Sequence, residues 1–177
     1  MALDSDLVRV AVTGAVYVAP TATTGPTTSS SALDAGFIDL GYVSADGISE
    51  SIDRTTNQIR AWQNGSLVRE VTSEGTYSVS MTFIETSEAV LELYYGTDQT
   101  SGEFNIDPTS TGGRKSFVID VVDGATVERI YIPAGEITSL GERTLASGEA
   151  VGYEVTITAY ADAGSTTVTK WFSSLEA

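Results

Sequence analysis

The sequence predicts an all-β protein, a sandwich or barrel of short strands with one helix on its flank. Three observations predict it. Several segments alternate apolar and polar residues with a period of two. Asp-Gly and Asn-Gly pairs recur between segments as hairpin turns. Only one stretch has the apolar spacing of a helix. The chain has 177 residues, 41% of them hydrophobic, and a mean hydropathy of +0.04. That is long enough to bury a core without staples, and one domain over residues 1–177 is expected.

Leu7 to Val18 reads as a first strand, carried by Leu7, Val8, Val10, Val12, Val16 and Val18 and broken at Thr13-Gly14 by a turn or bulge. From Ala19 to Ser31 the chain has no charge and no apolar period. It reads as a surface loop or an extended arm, spanning about residues 19–35. A loop this long in a compact domain is unusual unless it has a role. Gly36 to Val43 is a short strand, and Ser44-Ala45-Asp46-Gly47 is read as a turn. Ile48 to Asp53, Gln58 to Trp62 and Ser66 to Val71 are further strands, the last two joined by the turn Gln63-Asn64-Gly65. Thr76 to Ile84 alternates most cleanly, with Tyr77, Val79, Met81 and Phe83 on one side.

The helix follows, at about residues 87–95. Thr86 or Ser87 can cap it, and Glu88 suits the positive end of the helix dipole. Val90, Leu91, Tyr94 and Tyr95 give the spacing, and Gly96 is a natural terminator. Residues 98–113 are polar and turn-rich around Phe104 to Ile106. Lys115 to Val122 and Thr126 to Pro133 form a hairpin about Asp123-Gly124. Gly135 to Leu140, Val151 to Tyr160 and Thr166 to Phe172 complete roughly nine to eleven strands. The expected core comprises Phe37, Trp62, Val79, Met81, Phe83, Leu91, Val155 and Ile157. Trp62→Ala is expected to destabilise the domain by a few kcal/mol.

The chain has no histidine and no cysteine. Ser–His–Asp and Cys–His catalysis, disulfides and thiolate metal sites are therefore excluded. Carboxylate pairs such as Glu70 with Glu74, or Glu85 with Glu88, are the only catalytic kit, but pairs arise by chance among 24 acids. No segment has the calcium-loop spacing, and Asp46-Gly47 and Asp123-Gly124 read better as turns. Gly112-Gly113-Arg114-Lys115 lacks the phosphate-loop pattern. No enzyme activity, metal or cofactor is expected. The net charge of −15, from 24 acids against nine bases, argues against a protein that grips DNA phosphates or anionic lipid. The acidic start Met1 to Asp6 has no signal-peptide pattern, and no apolar run approaches a membrane span.

Residues 36–96 resemble the major tail tube proteins of long, non-contractile-tailed bacteriophages, those of actinobacterial hosts in particular. The matching pieces are Gly36 to Gly47, Ala61-Trp62-Gln63-Asn64-Gly65, Thr82 to Thr86, and Leu91-Glu92-Leu93-Tyr94-Tyr95-Gly96. Residues 1–18 also look like this family. The resemblance implies a tail-tube-type β-sandwich or barrel, a structural virion protein whose hexameric rings stack into a hollow tube. It implies assembly in the host cytoplasm with the tape measure, tail tip and tail terminator proteins. Double-stranded viral DNA would pass through the lumen without specific binding.

Three features of the residues agree with that implication. Ring and stacking contacts need two sets of surfaces, and the uncharged arm suits one of them. Its Thr21, Thr23, Thr24, Thr27, Thr28, Ser29, Ser30 and Ser31 are the candidate inter-subunit contacts. Strand edges would be consumed by pairing between subunits. An acidic wall would let DNA slide. A tail terminator, or a secretion-tube protein on the same fold, is the alternative. A carbohydrate-binding β-sandwich, which would show an aromatic platform or a calcium cluster, is a more distant one.

Overall fold

A computed structural model describes residues 7–176. The acidic start at residues 1–6 lies outside them. Eight strands and one helix occur in the order β1 (Thr13–Pro20), β2 (Ile38–Asp39), β3 (Val43–Arg60), β4 (Leu67–Phe83), α1 (Glu88–Tyr95), β5 (Lys115–Asp123), β6 (Thr126–Leu140), β7 (Tyr153–Ala159) and β8 (Thr169–Phe172). All strands join one antiparallel sheet of order β2-β1-β5-β6-β7-β4-β3, which does not close, with β8 paired to β6 off this path. The far edge of β6 is shared: its first half pairs β8 and its second half pairs β7. Gly135 stands at the changeover, and a Cβ there would come within 2.8 Å of the Phe117 ring.

The core lies on one face of the curled sheet, built by the alternation expected of a half-buried strand. Val16 and Val18, Val79, Met81 and Phe83, Phe117 and Ile119, and Tyr153, Val155 and Ile157 all point into it. Helix α1 closes the core with Val90, Leu93 and Tyr94. Ser87 caps the helix by accepting from the Val90 N–H, and Gly96 ends it at φ 63°. A side chain at Gly96 would be strained by that φ and would strike the Gly112 backbone at 2.7 Å. Tyr94 packs edge-on against Tyr153 and donates its hydroxyl to the Gly141 carbonyl at 3.0 Å.

Fewer strands form than expected because neighbouring segments fuse. The expected strands at 48–53 and 58–62 are one strand, β3, and those at 66–71 and 76–84 are one strand, β4. Asp46-Gly47 is not a turn. Gly47, at φ 73°, lies in an irregularity of β3 between Val43 and Ile48. Leu7 to Val12 forms no strand, and the first strand begins at Thr13.

Three of the expected core residues are not buried in the core. Trp62 is 96% exposed, at the tip of the β3–β4 hairpin. The tryptophan is apolar in character, but a two-stranded ribbon has no second layer to bury it. Phe37 is only half-buried, in the turn whose Phe37 N–H donates to the Asp34 carbonyl. Leu91 is half-buried against the outside of the core. Trp62→Ala is accordingly expected to change stability by no more than about 0.5 kcal/mol, as for other surface substitutions. Denaturant melts check this, and a loss above about 2 kcal/mol, the scale of core truncations, would contradict the exposed position.

Candidate assembly surfaces

The β3–β4 hairpin leaves the body of the protein. Its strands pair from Ser49 opposite Ser80 to Arg60 opposite Leu67, with register shifts at Thr55–Thr56 and Ile59–Arg60. Residues 49–60 and 62–76 are all exposed. Twelve residues of strand project roughly 35–40 Å. Turn geometry ends the ribbon: Ala61 N–H donates to the Ser66 carbonyl at 2.8 Å, and Asn64 and Gly65 have φ of 58° and 62°. At the base, the Lys170 ammonium bridges Glu50 of β3 and Glu128 of β6, fixing the direction of exit.

The composition of the ribbon is unusual for this chain. Residues 54–71 carry Arg54, Arg60 and Arg69 against Glu70 alone, in a protein of net charge −15. Ile52, Ile59, Trp62, Leu67, Val68 and Val71 are between 40% and 96% exposed along it. Only this distal part of the ribbon is basic, since Glu50, Asp53 and Glu74 lie nearer its base, and a basic tip is complementary to an acidic body. Exposed apolar side chains gathered on one projecting element mark a contact site.

A second surface lies on the outer face of β3, β4, β7 and β6. The register places Ser51, Ser78, Thr158 and Glu136 in one cross-strand row. Ser49, Ser80 and Thr156 form the next row, and Thr82 pairs with Glu154 beyond it. Ser80 and Thr156 share a hydrogen bond of 3.0 Å, and Thr138 and Thr158 one of 2.7 Å. Hydroxyls and carboxylates fill the rows, with no lysine, arginine or apolar side chain among them. Arg114 pairs with Glu136 at the end of the first row at 3.9 Å, and the rest of the rows offer a polyanion no cation to bind.

The third region is the loop of about residues 20–36. It is folded back on its own chain and is not an extended arm. Ser29, expected to face a neighbour, is 1% exposed. Its N–H and hydroxyl donate to the Glu176 carboxylate at 2.7 and 2.6 Å. Those two donors hold the Glu176 carboxyl below its usual range, so the contact is kept at neutral pH and lost as acidification protonates Glu176. Beneath the loop, Arg129 makes a two-pronged pair with Asp120 at 2.6 and 2.7 Å and donates to the Ser31 and Thr28 carbonyls at 2.6 and 3.3 Å. Hydrogen bonding to Asp120 raises the arginine further above its ordinary value. Gly25 sits on the Tyr131 ring with no space for a Cβ. Thr23 and Ser31 are half-buried, whereas Thr21, Thr24, Thr27, Thr28 and Ser30 face solvent.

None of the carboxylate pairs forms a cleft. Glu70 and Glu74 are on the exposed ribbon, Glu85 accepts from the Tyr42 N–H, and Glu88 begins α1. Gly112 and Gly113 lead into strand β5, not into a helix. Among the described residues no group of three or more Asp or Glu is placed to hold a metal, and no helix is long and apolar enough to cross a membrane.

The described residues form a single antiparallel sheet with one capping helix and a projecting ribbon. Residues 1–176 match the family model of the phage tail tube protein, and the chain belongs to that family. It is a structural protein of the phage tail. Its fold is similar to that of the anti-feeding prophage tube terminating cap (TM-score 0.51, 13% identity, covering 96% of this chain and 98% of that one). It is equally similar to a chain of the sheath–tube complex of an extracellular contractile injection system in its extended state (TM-score 0.51, 10% identity, 94% and 93% covered). The terminator of that system matches to the same degree (TM-score 0.51, 10% identity, 94% and 99% covered). No curated protein has a matching sequence.

Proposed function

We propose that this chain is the repeating subunit of a hollow tube in a long, non-contractile phage tail, with hexameric rings stacked to conduct the genome. The observation that carries this reading is the hairpin: a projecting ribbon with exposed apolar residues and a basic distal part, residues 54–71, on an otherwise acidic chain. A second copy of the chain supplies the acidic surface it fits. The exposed loop residues Thr21, Thr24, Thr27, Thr28 and Ser30 add an uncharged contact, while Ser29 acts within the subunit. The hydroxyl-lined face is the wall past which DNA moves, and the protein performs no catalysis. Its partners are further copies of itself, the tape measure protein and the tail tip and terminator proteins.

Electron microscopy of the purified protein, alone and seeded with tail tips, tests the reading. Rings or tubes are expected. Monomers under every condition, with tails that lack the protein, would overturn it. The likeness to terminating caps favours a second reading, a single terminator ring. Copy number separates the two, since a tube protein is among the most abundant in the virion.

The wall is tested separately. Ser78→Lys with Glu154→Lys adds two cations to each subunit on the outer face without touching the core. Tails are expected to assemble normally and to eject DNA several-fold more slowly in vitro, most at low salt. Unchanged ejection at low salt would move the lumen to another face.

A further inference from the structure

The ribbon tip carries chemistry as well as shape. The chain has three asparagines, Asn57, Asn64 and Asn105, and only Asn64 precedes a glycine. Asn57 lies within β3 opposite Val71 and precedes Gln58, and Asn105 precedes the branched Ile106. Gly65 is fully open: a Cβ there would meet nothing within 4 Å. Among the described residues, neither the Asn64 side-chain amide nor the Gly65 N–H has a hydrogen-bond partner. Arg60 donates to the Gly65 carbonyl at 3.3 Å, which brings a positive charge to the turn.

We propose that Asn64–Gly65 is a spontaneous modification site, at which the tip converts to aspartate and isoaspartate. The Gly65 amide nitrogen, its proton taken by hydroxide, attacks Cγ of Asn64. The C–N bond to the side-chain nitrogen breaks and ammonia leaves, giving a five-membered succinimide. Water then opens the ring at either carbonyl. One opening leaves an ordinary aspartate in place of the asparagine. The other routes the backbone through Cβ and lengthens it by one methylene. No residue beyond Gly65 obstructs ring closure, because glycine has no side chain to meet the ring. Asparagine is among the thermally labile residues for this reason.

Either product places a new carboxylate at the tip beside Arg60, and the positive excess of residues 54–71, three arginines against Glu70, is halved. On the tube reading proposed above, on which this consequence rests, a modified tip meets an acidic neighbour less favourably. A tip already docked is shielded from water. Conversion therefore acts on free subunits and lowers their competence with age.

Free protein held at mildly alkaline pH in ¹⁸O-water, then digested and weighed, tests the chemistry. The tip peptide is expected to gain one water-derived oxygen in both isomers, well ahead of the peptides bearing Asn57 and Asn105. The variant Asn64→Gly, which keeps the left-handed turn, is expected to show no gain there. Conversion of Asn64 no faster than Asn105 overturns the proposal. Aged and fresh fractions are then compared for assembly by light scattering. Aged protein assembling several-fold less supports the consequence, and equal assembly overturns it. Failure of fresh protein to assemble counts against the tube reading alone, since the mass measurement decides the modification by itself.

Discussion

A chain in which residues 54–75 are replaced by an Asn-Gly turn is expected to fold and to lose assembly completely. The shortened ribbon closes at the Asp53–Thr76 pair, which lies in register in the intact protein. Of the residues removed, all but the half-buried Ala61 are exposed, and none belongs to the core. The melting temperature should therefore move by only a few degrees, corresponding to about 1 kcal/mol or less for a domain of this size. What is lost is the contact surface: three arginines and the exposed Ile59, Trp62, Leu67, Val68 and Val71. Light scattering and electron microscopy read the outcome, with circular dichroism as the check on folding. Normal tubes from the truncated chain would show that the ribbon is not an assembly element. The charge part is separable. Arg54→Glu, Arg60→Glu and Arg69→Glu together should abolish assembly at low salt and recover partly at high salt, where repulsion between acidic surfaces is screened.

A large stability loss from one substitution is expected at Arg129. It is 6% exposed, and its pair with Asp120 is covered by the loop. Arg129→Ala leaves the Asp120 carboxylate without its partner and removes the donor to the Ser31 and Thr28 carbonyls. Breaking a buried pair on one side costs about 3–5 kcal/mol, a large share of the roughly 5–15 kcal/mol that holds a domain. Denaturant melts should show this loss, and proteolysis should show the loop at residues 20–36 cut first. Arg129→Met with Asp120→Leu should recover part of the stability, because no charge is then left buried. A loss under about 1 kcal/mol for Arg129→Ala would mean that water reaches the pair freely.

The ribbon and the covered arginine are legible in the sequence to a lesser degree than the strands beneath them. The strands and their inward residues follow from local alternation, so Val79, Met81, Phe83, Val155 and Ile157 can be placed on one face by counting alone. The helix carries its own start and stop in Ser87 and Gly96. The ribbon is misread from sequence because its signals are those of a body strand. Trp62 looks like core by residue type, and Asp46-Gly47 looks like a turn by dipeptide. Whether a tryptophan is buried depends on a second layer, which no local pattern records. The arginine cluster at residues 54–69 is a signal available in the sequence, visible as three of the nine bases within a short span.

At residues 20–36 the composition suggests an arm free to reach a neighbour. The loop's partners within the chain are Arg129 and Glu176, about 100 and 147 residues away. A pairing so distant along the chain leaves no trace in the loop's own residues.

By itself, the sequence determined the all-β class, the helix, the inward faces and the lack of histidine and cysteine side chains. These depend on side-chain type and spacing, which are local. The tertiary structure alone decided that two pairs of segments fuse into a projecting ribbon, that Trp62 stands at its tip, and that Ser29 turns inward. Each of these depends on which surfaces meet across the fold, and burial is fixed by that meeting.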